Sequence, residues 1–251
     1  MTANTPLAVH DATRFVLLNT SHAGNVGAAA RAMKVMGFSD LVLVAPRFAD
    51  VASHEDAVAM ASGAADILVR ARVVPTLADA LDGISFACAT AMTPRDFGPP
   101  TCAPRERLPA LAAEVAAGTQ TVAFVFGSER FGMANADVWR CHVCLSIPSA
   151  PDYGSLNLAQ ALQCIAYDWR CALGAWPVQA RTAATVPADG AAVAGALDHW
   201  QQVLEQIGFL DPAAPKRLMP RLQQLIQRAQ PTAEELHILR GIARAVGKAG
   251  G

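Results

Sequence analysis

The chain is poor in aromatic residues (6% of 251) and in charge (16%). Its 20 lysines and arginines nearly balance its 21 aspartates and glutamates, leaving a formal net charge of −1. A protein this close to neutrality exerts little long-range field, so any anionic partner must be held by a local basic patch. No apolar run approaches the roughly 18–20 residues that a membrane span requires. The opening MTANTPLAVHDATRF lacks the basic start and apolar core of an export signal. The expected compartment is therefore the cytoplasm, with no membrane partner.

Metal chemistry is also not expected. The six cysteines are Cys88, Cys102, Cys141, Cys144, Cys164 and Cys171. Cys141 and Cys144 form a lone C-x-x-C with no second pair at matching spacing. "HVCLSI" reads as a strand, whose alternation would send these two cysteines to opposite faces. Reduced thiols buried as small apolar side chains are the expected state. Three phosphate or nucleophile motifs are missing as well: no G-x-G-x-x-G follows a strand, no P-loop exists, and no G-x-S-x-G elbow exists.

What is present is an alternation of apolar strands and helices. "RFVLLNT" (14–20) and "LVLV" (41–44) flank "GNVGAAARAMKVMGF", a helix entered from a tight turn and stopped at Gly37. "ISFACAT" (84–90) and "TVAFVFG" (121–127) flank "RERLPALAAEVAAG" (105–118) in the same way. "CHVCLSI" (141–147) leads to the long helical stretch 155–173. Continuous apolar strands alternating with helices predict an α/β fold, a mostly parallel sheet covered on both faces. Such sheets bind ligands at the carboxyl ends of their strands. The turns NTSHAGN, ATAMTP, FGSER and SIPSAPDYGS all lie at that end.

Composition shifts after Leu173. Residues 174–190 read as a linker, separating a domain over 1–173 from a helical extension over 191–251. Within that extension, Lys216, Arg217, Arg221 and Arg228 occur with no intervening acid. They form either a solvated helix face or a phosphate-contacting patch.

Three polar, glycine-bearing turns remain: "SHAGNVGAAARAM" (21–33), "FGSERFGM" (126–133) and "SLNLAQA" (155–161). In order and context they resemble the three motifs of the SpoU (TrmH-like) branch of the SPOUT methyltransferases. The first carries Asn25 and Arg31, the second Glu129, the third Ser155 and Asn157. The stretch "CHVCLSIPSAPDYGSLNLAQALQCIAYDWR" and the tail "RAQPTAEELHILRGI" extend the likeness to the TrmJ group of that branch, over nearly the whole chain.

The resemblance implies a C-terminal trefoil knot, a homodimer, and S-adenosylmethionine as cofactor. It also implies 2′-O-ribose methylation of tRNA, at cytidine or uridine 32 of the anticodon loop. A SpoU-type enzyme acting on ribosomal RNA, or a catalytically silent RNA-binding module, are the alternatives. The residues it marks as catalytic are Arg31, Asn25, Glu129, Ser155 and Asn157. Those it marks for the cofactor are Thr90, Ala91, Met92, Gly127, Ile147, Gly154, Ser155 and Leu156. Each has a plainer role too. Asn25 and Ser155 are natural helix N-caps, and Glu129 suits a helix start, or an anchor for Arg31. An arginine is a poor proton acceptor, so a phosphate clamp with oxyanion stabilisation suits Arg31 better. Gly127 would admit close backbone approach to a ligand. Tyr153 and Phe131 are candidates for stacking on a base, although core packing is the favoured expectation for Phe131.

Overall fold

The computed structural model describes residues 12–91, 97–178 and 185–249. The chain divides into two compact units after Pro177. In the first, the elements run β1 (Thr13–Leu18), α1 (Ala23–Val35), β2 (Asp40–Val44), α2 (Glu55–Ala61), α3 (Ala65–Arg70), β3 (Arg72–Val74), α4 (Leu77–Ala80), β4 (Phe86–Thr90), β5 (Thr101–Cys102), α5 (Pro104–Ala116), β6 (Val122–Phe126), α6 (Asn135–Val138), β7 (Val143–Leu145) and α7 (Leu158–Ala172). The strands form one seven-stranded sheet in the order β3-β2-β1-β6-β4-β7-β5. Every pairing in it is parallel.

Strand alternation explains why the central strands are apolar over most of their length. Phe15 and Leu17 of β1 join the core beneath α1, α5 and α7, while Val16 and Leu18 join the core beneath α4 and α6. A strand buried on both faces has no polar face to show. On the α1 side, Phe15 packs 5.3 Å from Phe38 and 5.5 Å from Phe124. Trp169 of α7 meets Phe124 edge-on at 5.5 Å and donates its indole N–H to Thr13 Oγ1 at 3.0 Å. That bond satisfies the one polar group of a fully buried Trp169.

The small residues of α1 have an explanation inside the chain. A Cβ on Gly27 would lie 2.0 Å from the Ala57 carbonyl oxygen, so α1 and α2 touch backbone to backbone there. Gly37 ends the helical turn with φ +73°, which glycine adopts without strain. Trp176 closes over that turn, and Arg170 stacks between the Phe38 ring at 4.8 Å and the Trp176 ring at 4.5 Å.

Two expectations need correction. β7 is shorter than 141–147, and Cys141 precedes it. Cys141 and Cys144 therefore share one core rather than facing opposite sides. Burial pushes the Cys141 thiol up to about 12, which makes it a poor source of thiolate at neutral pH. Among the described residues no three His, Cys, Asp or Glu side chains gather as a metal site, and no helix is long and apolar enough to cross a membrane.

The second unit contains α8 (Gly190–Gln206), α9 (Leu218–Ala229) and α10 (Ala233–Ala249). Asp189 caps α8 by accepting from Ala192 N–H at 2.7 Å. Thr232 and Glu235 exchange a reciprocal capping box at the start of α10. Ala196, Val203 and Leu204 of α8 and Leu236 and Ala243 of α10 are buried, whereas α9 buries none of its residues.

Candidate active site

The carboxyl ends of β4, β6 and β7 lie side by side: Thr90 pairs with Phe126 on one side and Leu145 on the other. The turns leaving these strands enclose a cavity of about 320 Å³. Its walls include Thr90, Ala91, Gly127, Ile147, Gly154, Ser155 and Leu156. These are the residues expected for the cofactor, apart from Met92, which lies outside the described residues. The Thr90 hydroxyl donates to the Val125 carbonyl at 2.9 Å, within the sheet.

Gly127 is also required to be glycine by the chain itself. A Cβ there would lie 2.1 Å from Gly132 C and 2.2 Å from Met133 N. The close approach is made by the turn's own backbone, where Ser128 and Gly132 exchange N–H···O bonds of 3.0 and 2.9 Å.

Glu129 follows this strand and ties the three turns together. Its Oε2 accepts from the Ser21 N–H and hydroxyl, each at 3.1 Å, and its Oε1 accepts from Asn25 Nδ2 at 3.0 Å. Asn25 Oδ1 in turn accepts from Asn157 Nδ2 at 2.9 Å. Asn157 Oδ1 then accepts the Ala159 N–H at 2.9 Å, capping α7. Several roles change as a result. Asn25 lies inside α1, and its side chain serves Glu129 and Asn157 rather than the helix end. The cap of α7 is Asn157, because the helix begins at Leu158 and leaves Ser155 in the preceding turn, on the cavity wall. Glu129 anchors Asn25 and Ser21 instead of Arg31. Ser21 was not legible as a partner, since only the fold brings it to a carboxylate 108 residues away.

Arg31 lines a second, larger hollow of about 1140 Å³, together with Asn25 and Asn157. Among the described residues no hydrogen bond or ion pair fixes its guanidinium. The network thus has the small cavity on the Glu129 side and the Arg31 hollow on the Asn25 side. Tyr153 is exposed and is not part of the wall of either cavity. Phe131 is not a core residue: it is 86% exposed at the edge of the smaller cavity.

A family model described as the SpoU rRNA methylase family matches residues 12–167. The chain belongs to the SpoU methylase family. A second model, the C-terminal domain of tRNA methyltransferase TrmJ, matches residues 191–250. Among relatives, the tRNA (cytidine/uridine/adenosine-2′-O-)-methyltransferase TrmJ of Pseudomonas aeruginosa is 44% identical over 92% of this chain and 92% of its own length. Among solved structures, TrmJ from Z. mobilis superposes with a TM-score of 0.77 at 28% identity, covering 94% of this chain and 99% of that one. A probable methyltransferase from Bordetella pertussis is 48% identical, with a TM-score of 0.61, over 66% of this chain and 98% of its own.

In this SpoU methylase the Glu129 network has an electrostatic signature. Burial pushes the carboxyl pKa up, but hydrogen bonds from Asn25, from its own backbone N–H and from Ser21 outweigh burial and leave it below the usual value. A carboxyl with its folded pKa depressed contributes stability above its unfolded pKa and loses it as pH falls through the folded pKa. Glu129→Gln is therefore expected to lower the melting temperature at pH 7, with the gap to wild type closing below about pH 4.5. Melting curves across pH 3–7 check this. A gap that stays constant with pH would mean that the carboxylate charge does not hold the network.

Proposed function

We propose that the chain is an S-adenosylmethionine-dependent 2′-O-ribose methyltransferase acting on tRNA, at cytidine or uridine 32 of the anticodon loop. The observation that carries the reading is the Glu129–Asn25–Asn157 network. It draws residues from all three turns to one place, beside a ligand-sized cavity at the strand ends. The curated relatives at 40–44% identity over most of the chain carry names of this activity. The name of the Pseudomonas relative includes adenosine, which fits chemistry directed at a ribose, the part that all nucleotides share.

The cavity suits the cofactor. Its volume falls in the ordinary range for small-molecule sites, and its walls combine apolar side chains and turn backbone with polar groups such as Thr90, Ser155 and Glu129. Ile147 and Leu156 would flank the adenine, and the turns at Ala91, Gly127 and Gly154–Ser155 would offer backbone N–H and C=O groups. The cofactor supplies a sulfonium methyl with its own leaving group, so no metal is required. The 2′-oxygen must shed its proton and be held in line with the methyl. Glu129 is a weak base here, with a lowered pKa and its oxygens already engaged, so it positions Asn25 and Asn157 instead of accepting that proton. Arg31 clamps a substrate phosphate and stabilises developing charge on the oxygen.

The finer assembly belongs to the same proposal. The enzyme is a homodimer, residues 1–173 carry a trefoil knot at their C-terminal end, and 191–251 form an RNA-binding extension. The test is nucleoside mass spectrometry of tRNA incubated with the purified protein and S-adenosylmethionine. A new 2′-O-methylnucleoside, mapped to position 32, is the expected product. A methylated base without any 2′-O-methylnucleoside would refute the assignment.

A further inference from the structure

The turn after β6 does more than place Glu129. It is locked at its base by the paired Ser128–Gly132 backbone bonds, and the Ser128 hydroxyl accepts the Phe131 N–H at 3.3 Å. Gly127 packs directly under Gly132 and Met133, so the turn cannot sink toward the sheet. The two residues at its tip, Arg130 and Phe131, are exposed, and both border the cofactor cavity. Among the described residues neither side chain has a hydrogen bond, ion pair or ring contact. A large apolar ring held 86% exposed loses the burial that would stabilise it in the core. Here it is presented by a rigid turn in a chain with few aromatics to spare. Beside it stands a cation unpaired among the described residues. A π-face next to a guanidinium matches a base joined to a phosphate.

Resting on the methyl-transfer reading above, we propose that Phe131 stacks on the base of the nucleotide being methylated and that Arg130 holds an adjoining phosphate. The target ribose is thereby suspended over the mouth of the cavity. Stacking accepts any base, because every base has a π-face. The pair therefore fixes position while leaving base identity loosely read.

The test measures transfer to tRNA and cofactor affinity separately. Phe131→Ala is expected to lower kcat/KM for tRNA by about 5- to 100-fold, with cofactor affinity unchanged. Phe131→Trp, which keeps a ring, should retain most of the activity. Arg130→Gln should make the slope of log affinity against log salt shallower by about 0.7, the change for one phosphate no longer neutralised. The decisive comparison uses a tRNA ligated to carry an abasic ribonucleotide, with its 2′-hydroxyl intact, at the position that wild type methylates. On that substrate Phe131→Ala and wild type should be equally slow, because the ring has no base to lose. A penalty that persists on the abasic tRNA overturns the stacking assignment, as does an indifferent Phe131→Ala. Weakened cofactor binding with normal tRNA kinetics would instead make the ring a wall of the cofactor site. An unchanged salt slope in Arg130→Gln overturns the phosphate contact. These results differ from failure of the parent reading, in which wild type itself transfers no methyl group to tRNA and the present inference falls with it.

Discussion

Replacing Arg31 by alanine is expected to lower kcat by about 10²- to 10³-fold, the usual cost of losing a group that stabilises charge only in the transition state. Cofactor affinity should not change, since Arg31 faces the larger hollow and is no part of the wall of the smaller cavity. The separation raises the question of which cavity the guanidinium serves. If the proposed homodimer forms, Arg31 would serve either the cavity of its own chain or that of its partner. The alanines and glycines of α1 do not decide this, because Gly27 is required by α2 of the same chain. A mixing experiment decides it. The second variant should spoil the cofactor wall without touching the fold. Gly127 is unsuitable, since its neighbourhood is already full of backbone. Leu156, 41% exposed on the cavity wall, is suitable as Leu156→Glu. If Arg31 crosses between subunits, a heterodimer of Arg31→Ala with Leu156→Glu contains one pocket with intact walls and an intact partner arginine. It should recover up to about half the wild-type activity, because one of two equivalent sites is whole. If Arg31 acts within its own chain, each subunit carries one defect and purified heterodimers stay inactive. That result would rule out the shared site and leave the methyltransferase reading standing.

The legible parts of the molecule were those whose burial repeats along the chain. β1, β2, β4 and β6 are buried on both faces over most of their length, so their sequences read as short apolar runs, with polar residues only at strand ends such as Thr13, Arg14, Asp40 and Thr90. β3, with three residues, and β5, with two, are too short for a period to register. The short helices α2, α3 and α4 leave no readable period for the same reason. The end of the sheet that holds the candidate cavity was also legible, because parallel α/β topology places such cavities at the strand carboxyl ends. The site's wiring was not. Asn25 and Glu129 are 104 residues apart, and Asn25 and Asn157 are 132 apart. No local pattern reports such bonds, and only the family resemblance grouped these residues. Local chemistry even pointed the wrong way at "SLN". Ser155 and Asn157 are both good caps, and the choice between them depended on where the helix could start after the turn.

Neutralising the cations of α9 and its entry should cost the enzyme its tRNA and leave its cofactor. Lys216, Arg217, Arg221 and Arg228 are exposed, and none is in an ion pair among the described residues. On a chain whose formal charge is −1, they are a local positive patch in a unit that packs little around them. α9 buries none of its residues, so its charge can be removed with little effect on the core of that unit. Each cation that neutralises an RNA phosphate releases a counterion, and the salt dependence of binding reports how many phosphates are engaged. Changing all four to glutamine is expected to weaken tRNA binding by about tenfold or more near physiological salt. The slope of log affinity against log salt should become shallower by up to about 3, at about 0.7 for each phosphate no longer neutralised. Cofactor binding, measured by calorimetry, should match wild type, because the cavity proposed for it is lined by residues of the first unit. A plain solvated helix face predicts something different: unchanged tRNA affinity and an unchanged slope. Impaired cofactor binding with intact tRNA affinity would assign the extension to the catalytic unit's integrity rather than to RNA. The slope is the discriminating observable, because general destabilisation lowers the active fraction at every salt concentration and does not alter how affinity responds to salt.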